Sequence, residues 1–127
     1  MVKIDVREVG AGLRLDKAVA RLRGESGYYI RELCYEYHAK TVITREPKPV
    51  STDIAEAWEL VETMTGENAW MIEIQAEDGY YLCTVYEPDE LFAHSWVELS
   101  ANWSSTIPLA ICRAFILAHG ITEIEAE

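Results

Sequence analysis

The sequence predicts an α+β fold in which a three-stranded antiparallel sheet packs against helices, as a layered sandwich. Three segments carry apolar residues at helical spacing, and the second and third of them begin with helix-capping residues. Three strand-like runs lie between the second and third of these segments, and an Asp-Gly turn joins the first two runs. Because 127 residues are close to the usual size of one domain, we expect residues 1–127 to share one core.

The N-terminal part of the chain predicts a short strand and a helix. Apolar residues alternate with charged ones over residues 2–7, which is typical of a half-buried strand or an ordered arm. Leu15, Val19 and Leu22 then recur at helical spacing, and Gly24 is placed as a helix-terminating glycine. We therefore expect the first helix over residues 13–24.

A tyrosine-rich segment follows over residues 25–48, and its pattern is mixed. Leu33 and Tyr37 have the spacing of a short helix, whereas residues 41–44 favour a strand that Pro47 would end. His38 lies four residues after Cys34 and could share a helix face with it, as one half of a zinc site would require. Because no second pair of ligands exists, we expect no metal and no other cofactor.

Asp53 begins the second helix, which we expect over residues 53–65. Glu56 follows it at the spacing of a capping box. The residues that we expect to form the buried stripe are Ile54, Ala57, Trp58, Val61 and Met64. Glu56, Glu59 and Glu62 line the flank of the same helix.

The sheet is predicted over residues 70–99. Residues 71–74 and 80–86 form a hairpin at Asp78 and Gly79, and residues 92–99 form the third strand. The last helix is predicted over residues 106–119, with Pro108 in its first turn, and an acidic tail over residues 121–127 follows it. Since Arg113 is the only charge in this helix, the helix should be the most buried element.

Charge divides the chain into two unequal parts. From Pro49 to Cys112 there is no lysine or arginine, but there are twelve acidic residues: Asp53, Glu56, Glu59, Glu62, Glu67, Glu73, Glu77, Asp78, Glu87, Asp89, Glu90 and Glu98. A negative field of this kind repels nucleic acid and anionic membranes and attracts cationic partners. The apolar runs are too short for a membrane span, and the first residues are too charged for a signal peptide, so we expect a cytosolic protein.

Four segments of the chain together form a recognisable pattern. They are Ser51-Thr52-Asp53-Ile54 with Ala57-Trp58 and Val61, Thr106-Ile107-Pro108-Leu109-Ala110-Ile111-Cys112-Arg113-Ala114, His119-Gly120, and the opening helix at Leu15-Asp16-Lys17-Ala18-Val19-Ala20 followed by Gly24. In these segments the chain resembles the phage ABA sandwich domain, a family of small bacteriophage and prophage proteins. The likeness covers both ends and the middle of the chain. The resemblance implies a layered α/β fold and a phage origin, and it carries no catalytic residues. For such a protein we expect action in the host cytoplasm.

The acidic surface gives the first functional hypothesis. Glu56, Glu59 and Glu62 would form a row of carboxylates about 5 Å apart along the helix, imitating the phosphates of nucleic acid. We therefore expect a non-enzymatic accessory protein that binds a basic host protein, such as a component of antiviral defence. The alternatives are a surface that serves only solubility and a structural phage protein, and self-association is left open.

A nucleotide-binding protein is the second hypothesis. Arg113 and the helix start at Thr106 would hold a phosphate, and Trp58 or Trp103 would stack on the base. The structural alternative is that caps and core packing explain these residues, with Asp53 or Glu98 as the carboxylate that pairs with Arg113. No nucleophile and base can be assigned from the sequence, so we expect no enzymatic activity.

Overall fold

The computed structural model describes residues 2–24, 30–35, 38–43, 47–92 and 94–125, of which 30–35 and 38–43 are described by their strand pairing. Along the chain the elements are β1 (Lys3–Asp5), a 3-10 helix (Val6–Glu8), α1 (Leu13–Leu22), β2 (Ile30–Tyr35), β3 (His38–Ile43), α2 (Ile54–Gly66), β4 (Met71–Glu77), β5 (Tyr80–Pro88), β6 (Trp96–Ser104), α3 (Ile107–Ala118) and β7 (Glu123–Glu125). Within the described ranges, none of the helices has the length and apolarity that a bilayer span requires.

The central sheet consists of β4, β5 and β6 in that order, and all its pairs are antiparallel. Asp78 and Gly79 connect β4 to β5 with φ values of 48° and 80°. Two successive positive φ angles are those of the tight hairpin turn that Asp-Gly favours, so the predicted hairpin is confirmed.

Helix α3 lies against the inner face of this sheet and forms the centre of the fold. It contacts β5 and β6, and it also contacts α1 and α2. Its buried residues are Leu109, Ala110, Ile111, Cys112, Ala114, Phe115, Ile116 and Leu117. The predicted α+β arrangement is confirmed, and α3 is as buried as its composition indicated.

The third strand differs from the prediction of residues 92–99. The structure places β6 at Trp96–Ser104, while Phe92 lies in the preceding loop with its side chain exposed. The inward-facing residues of β6 near its end are Ser100, Asn102 and Ser104, which are buried but polar. Because polar residues point inwards here, the hydrophobic alternation on which the prediction depended is reversed along this part of the strand.

Helix α2 begins as predicted, but its buried face is rotated. Asp53 caps it by accepting hydrogen bonds from Ala55 N (2.9 Å) and Glu56 N (3.3 Å). The predicted stripe is wrong at Ile54 and Trp58, whose side chains are 53% and 54% exposed. The buried residues are Ala57, Leu60, Val61 and Met64, which share a face at the same helical spacing. Both sets fit the period of a helix, so periodicity alone did not decide between them.

Two further segments also depart from the sequence predictions. Residues 123–125 of the predicted acidic tail form β7, which pairs with β1, and Ile121 and Ile124 pack against the core. The short helix expected at Leu33 is wrong, because Leu33 lies in β2. Cys34 and His38 therefore lie on adjacent strands of a hairpin and do not share a helix face. Tyr37 and Thr44 lie outside the described residues.

Candidate functional site

Arg113 joins three parts of the fold through its guanidinium. Nε and Nη2 donate hydrogen bonds to the carbonyl oxygen of Val9 at 3.0 and 2.7 Å, and Nη1 donates to Ser104 Oγ at 3.0 Å. Val9 follows the 3-10 helix and Ser104 ends β6, so one side chain on α3 holds both segments. Desolvation lowers the pKa of Arg113 from its usual value, although an arginine stays protonated at physiological pH.

The prediction that a carboxylate pairs with Arg113 is wrong. Neither Asp53 nor Glu98 is paired with it, and no carboxylate in the described part of the chain forms an ion pair with Arg113. A backbone carbonyl and a hydroxyl satisfy the guanidinium instead. These acceptors carry no formal charge, so the pattern of acidic residues in the sequence does not indicate them.

A chain of buried hydrogen bonds continues from Arg113 into the sheet. Ser104 Oγ donates to Asn102 Oδ1 at 2.8 Å, and Asn102 Nδ2 donates to the carbonyl oxygen of Ala110 at 3.1 Å. Further along the strand, Ser100 Oγ donates to the carbonyl oxygen of Ala114 at 2.8 Å. We call Ser100, Asn102, Ser104 and Arg113 the polar seam. Sequence reasoning did not identify the seam, and the alternating polar residues of Ser100–Ser104 were its only signal.

The residues of the nucleotide hypothesis lie on three different elements. Thr106 uses its hydroxyl to accept a hydrogen bond from Leu109 N at 3.3 Å, as the cap of α3. Trp58 is exposed on α2, and Trp103 is exposed on β6. Arg113 directs three donors to Val9 and Ser104. These four residues are therefore not brought together on one element, and the polar groups of Thr106 and Arg113 already have hydrogen-bond partners within the protein.

The carboxylates of α2 are less available than their spacing predicts. Glu59 Oε2 lies 3.7 Å from Lys48 Nζ in an ion pair. Glu56 is half-buried, and its Oε2 is buried without a hydrogen-bond partner in the described structure. Desolvation and the neighbouring Glu59 raise the pKa of Glu56. Glu62 is exposed, so it is the member of the row that remains open to solvent.

A second acidic surface lies on the side of the sheet that faces away from α3, which we call the outer face. The pairing register places eleven side chains there: Met71, Glu73, Gln75 and Glu77 of β4, Tyr80, Leu82, Thr84 and Tyr86 of β5, and Glu98, Ala101 and Trp103 of β6. Three of them are carboxylates, three are aromatic, and none is a cation. None of the three glutamates is in an ion pair within the described structure.

The outer face contains an open cavity at its turn end. Glu77, Asp78, Tyr80 and Trp103 line this cavity, and its volume is about 340 Å³. A second cavity of about 240 Å³ lies between α1 and the ribbon of β1 and β7, above an apolar floor of Ala18, Leu22, Ile116, Ile121 and Ile124. Neither cavity is lined by Arg113, Thr106 or Trp58.

The thiols of two cysteines are buried in the core beneath the sheet. Burial raises the pKa of Cys83 to about 12, and burial together with Asp16 raises that of Cys112. Both thiols are therefore protonated at neutral pH, which makes them poor nucleophiles and poor metal ligands.

Comparison with known proteins gives a match to one family. The model of the phage ABA sandwich domain matches residues 14–116, which include α2, the central sheet and most of α1 and α3. No curated protein and no solved structure matches the chain. Since the matched residues make up most of the sequence, the chain belongs to the phage ABA sandwich domain family.

Proposed function

We propose that this phage protein is a non-enzymatic accessory protein that binds a basic surface of a host protein in the host cytoplasm. The observation that carries the proposal is the outer face, where Glu73, Glu77 and Glu98 lie among aromatic side chains without any lysine or arginine. A surface of one sign attracts an oppositely charged protein and increases its association rate.

The outer face supports this role better than the carboxylate row on α2. On α2, Glu59 is paired with Lys48 and Glu56 is half-buried, so only part of that row can meet a partner. On the outer face, Glu73 is also half-buried and accepts a hydrogen bond from Gln75, but Glu77 and Glu98 are exposed. Tyr80 and Trp103 are exposed on the same face. Aromatic side chains are enriched in protein interfaces because they add apolar contact area that carboxylates lack.

The expected partner is a host protein that carries a groove for nucleic acid. Such a groove presents rows of lysine and arginine, and carboxylates spaced along neighbouring strands can occupy it in place of phosphates. Host antiviral defence contains proteins that act on nucleic acid. We therefore propose a defence component of this kind as the target.

Two matched triple variants test the proposal. Glu73, Glu77 and Glu98 change to glutamine in the first, and Glu56, Glu59 and Glu62 change to glutamine in the second. Each variant removes three negative charges and changes the net charge from −11 to −8. Affinity capture from host lysate, followed by mass spectrometry and binding kinetics with the purified partner, compares the two with the wild type.

The proposal predicts a basic partner whose association slows in the first variant and with added salt, because exposed charges are screened beyond about 10 Å at 0.1 M ionic strength. The second variant should keep most of the association rate. An equal loss in both variants would show that only net charge matters, and a partner bound equally by all three proteins would place the interface elsewhere.

A further inference from the structure

We propose that the cavity at the turn end of the outer face receives an arginine side chain of the partner protein. This inference rests on the proposed function and specifies the chemistry of the contact. The four lining residues combine two carboxylates, Glu77 and Asp78, with two aromatic rings, Tyr80 and Trp103.

The strand register brings these groups together. Glu77 pairs with Tyr80 at the last position of the hairpin, and Leu82 pairs with Trp103 one same-face position further along. Tyr80 and Trp103 are therefore diagonal neighbours on one face, where aromatic side chains on adjacent strands are within reach of each other. They remain 57% and 48% exposed, so both rings have surface left for a ligand.

The lining groups match the chemistry of a guanidinium. Its planar cation stacks on an aromatic face, and its N–H groups bind a carboxylate through two parallel hydrogen bonds. An ammonium lacks the planar stacking surface and the paired donors, so lysine fits the cavity less well. Within the described structure, the carboxylates of Glu77 and Asp78 form no ion pair and accept no side-chain hydrogen bond, which leaves them available.

Charge complementarity supports a cationic occupant. The sequence supplies no lysine or arginine between Pro49 and Cys112, so no cation of β4, β5 or β6 competes for the cavity. The turn that carries Asp78 is also held in one conformation by the positive φ angles of Asp78 and Gly79. A partner's arginine would thus meet two carboxylates that are carried by a turn of defined backbone conformation.

The test compares two fluorescent peptides of equal charge, nona-arginine and nona-lysine, by anisotropy titration at 0.15 M salt. The wild-type protein should bind nona-arginine about twofold to fivefold more tightly, which is the range expected for one exposed stacking contact. Trp103→Leu should remove this preference with little effect on nona-lysine, whereas Trp103→Phe should keep part of it. Trp58→Leu is the matched control, because Trp58 is exposed to a similar degree on α2 and should leave the preference intact.

The outcomes separate this inference from the proposed function. Equal binding of both peptides by folded wild-type protein would overturn the arginine site, and so would an equal loss of preference in the Trp103→Leu and Trp58→Leu variants. Neither result would contradict an acidic binding face. Conversely, the wild-type protein could keep its preference for arginine while the captured host partner binds the outer-face triple variant as fast as it binds the wild type. That result would overturn the proposed function alone.

Discussion

Replacing Asn102 by alanine tests whether the polar seam holds β6 to α3. The Asn102 amide donates to the Ala110 carbonyl at 3.1 Å, and its oxygen accepts from Ser104 Oγ at 2.8 Å. Asn102 and Ser104 are 6% and 3% exposed, so water cannot readily replace the lost groups. The Ala110 carbonyl also lies within α3, where it can accept the ordinary helical hydrogen bond.

Two contributions determine the expected loss of stability. The neutral hydrogen bond from Asn102 to the Ala110 carbonyl contributes about 1 kcal/mol to the free energy of unfolding. Loss of the Asn102 oxygen also leaves the Ser104 hydroxyl buried without its acceptor, which costs about 1 to 3 kcal/mol. Because side chains around the site can relax, we expect Asn102→Ala to lower the free energy of unfolding by about 2 to 4 kcal/mol.

Urea denaturation followed by circular dichroism measures this loss, provided that the slope of the transition stays unchanged. Ser105→Ala is the control, since Ser105 is exposed, and its effect should stay within about 0.5 kcal/mol. The double variant with Ser104→Ala should lose less than the sum of the two single variants, because they share one hydrogen bond. A loss below about 0.5 kcal/mol for Asn102→Ala, or strict additivity, would refute the seam as a stabilising network.

Three further changes test other parts of the fold. Arg113→Met should lower the unfolding free energy by about 2 to 3 kcal/mol without any ligand, because the Val9 carbonyl loses both donors. If Arg113→Lys recovers part of this stability, the hydrogen bonds matter in addition to the packing of the side chain. Asp53→Ala should lower the unfolding free energy by about 1 kcal/mol, whereas Asp53→Asn should keep the cap; equal melting temperatures for all three proteins would contradict capping. Desolvation raises the pKa of Asp16 in the folded protein above its ordinary value of 3.8. The protonated carboxyl therefore stabilises the fold fully below pH 3.8, and this stabilisation is lost as the pH rises through the raised pKa. Wild type should therefore lose stability relative to Asp16→Asn as pH rises above 3.8 in urea titrations at several pH values, and a constant difference would contradict the raised pKa.

The sequence patterns predicted the elements whose signals are local. Asp53 as a helix cap and Asp78-Gly79 as a hairpin turn depend on residues within a few positions, and both are confirmed. The rotation of α2 could not be predicted, since Ile54 and Trp58 satisfy the helical period as well as the buried residues do. Which face is buried depends on the position of α3, and this is a long-range property of the fold.

The proposed binding surface on the outer face could likewise be predicted only where its signals are local. The absence of lysine and arginine over the central segment indicated an acidic surface, but it did not indicate which carboxylates would share a face. Glu77 and Tyr80 are close in sequence, because only the turn residues Asp78 and Gly79 separate them. Trp103 comes next to them only through the pairing of β5 with β6. The expected third strand at residues 92–99 excluded Trp103 from the sheet, so the outer face could not be assembled from the sequence.

The polar seam and the outer face are two sides of one strand. Trp103 lies between Asn102 and Ser104, and alternation along β6 directs it outwards when these two neighbours point inwards. The pairing of β6 with β5 positions Trp103 beside Tyr80, and the hydrogen bonds from Asn102 to α3 and from Arg113 to Ser104 hold the opposite side of the same strand against the core. Arg113 in turn is satisfied by Val9, which lies outside the residues that match the family. The N-terminal segment of this chain thus completes the network behind the proposed binding surface, because its carbonyl accepts two of the donors that hold Arg113 in place.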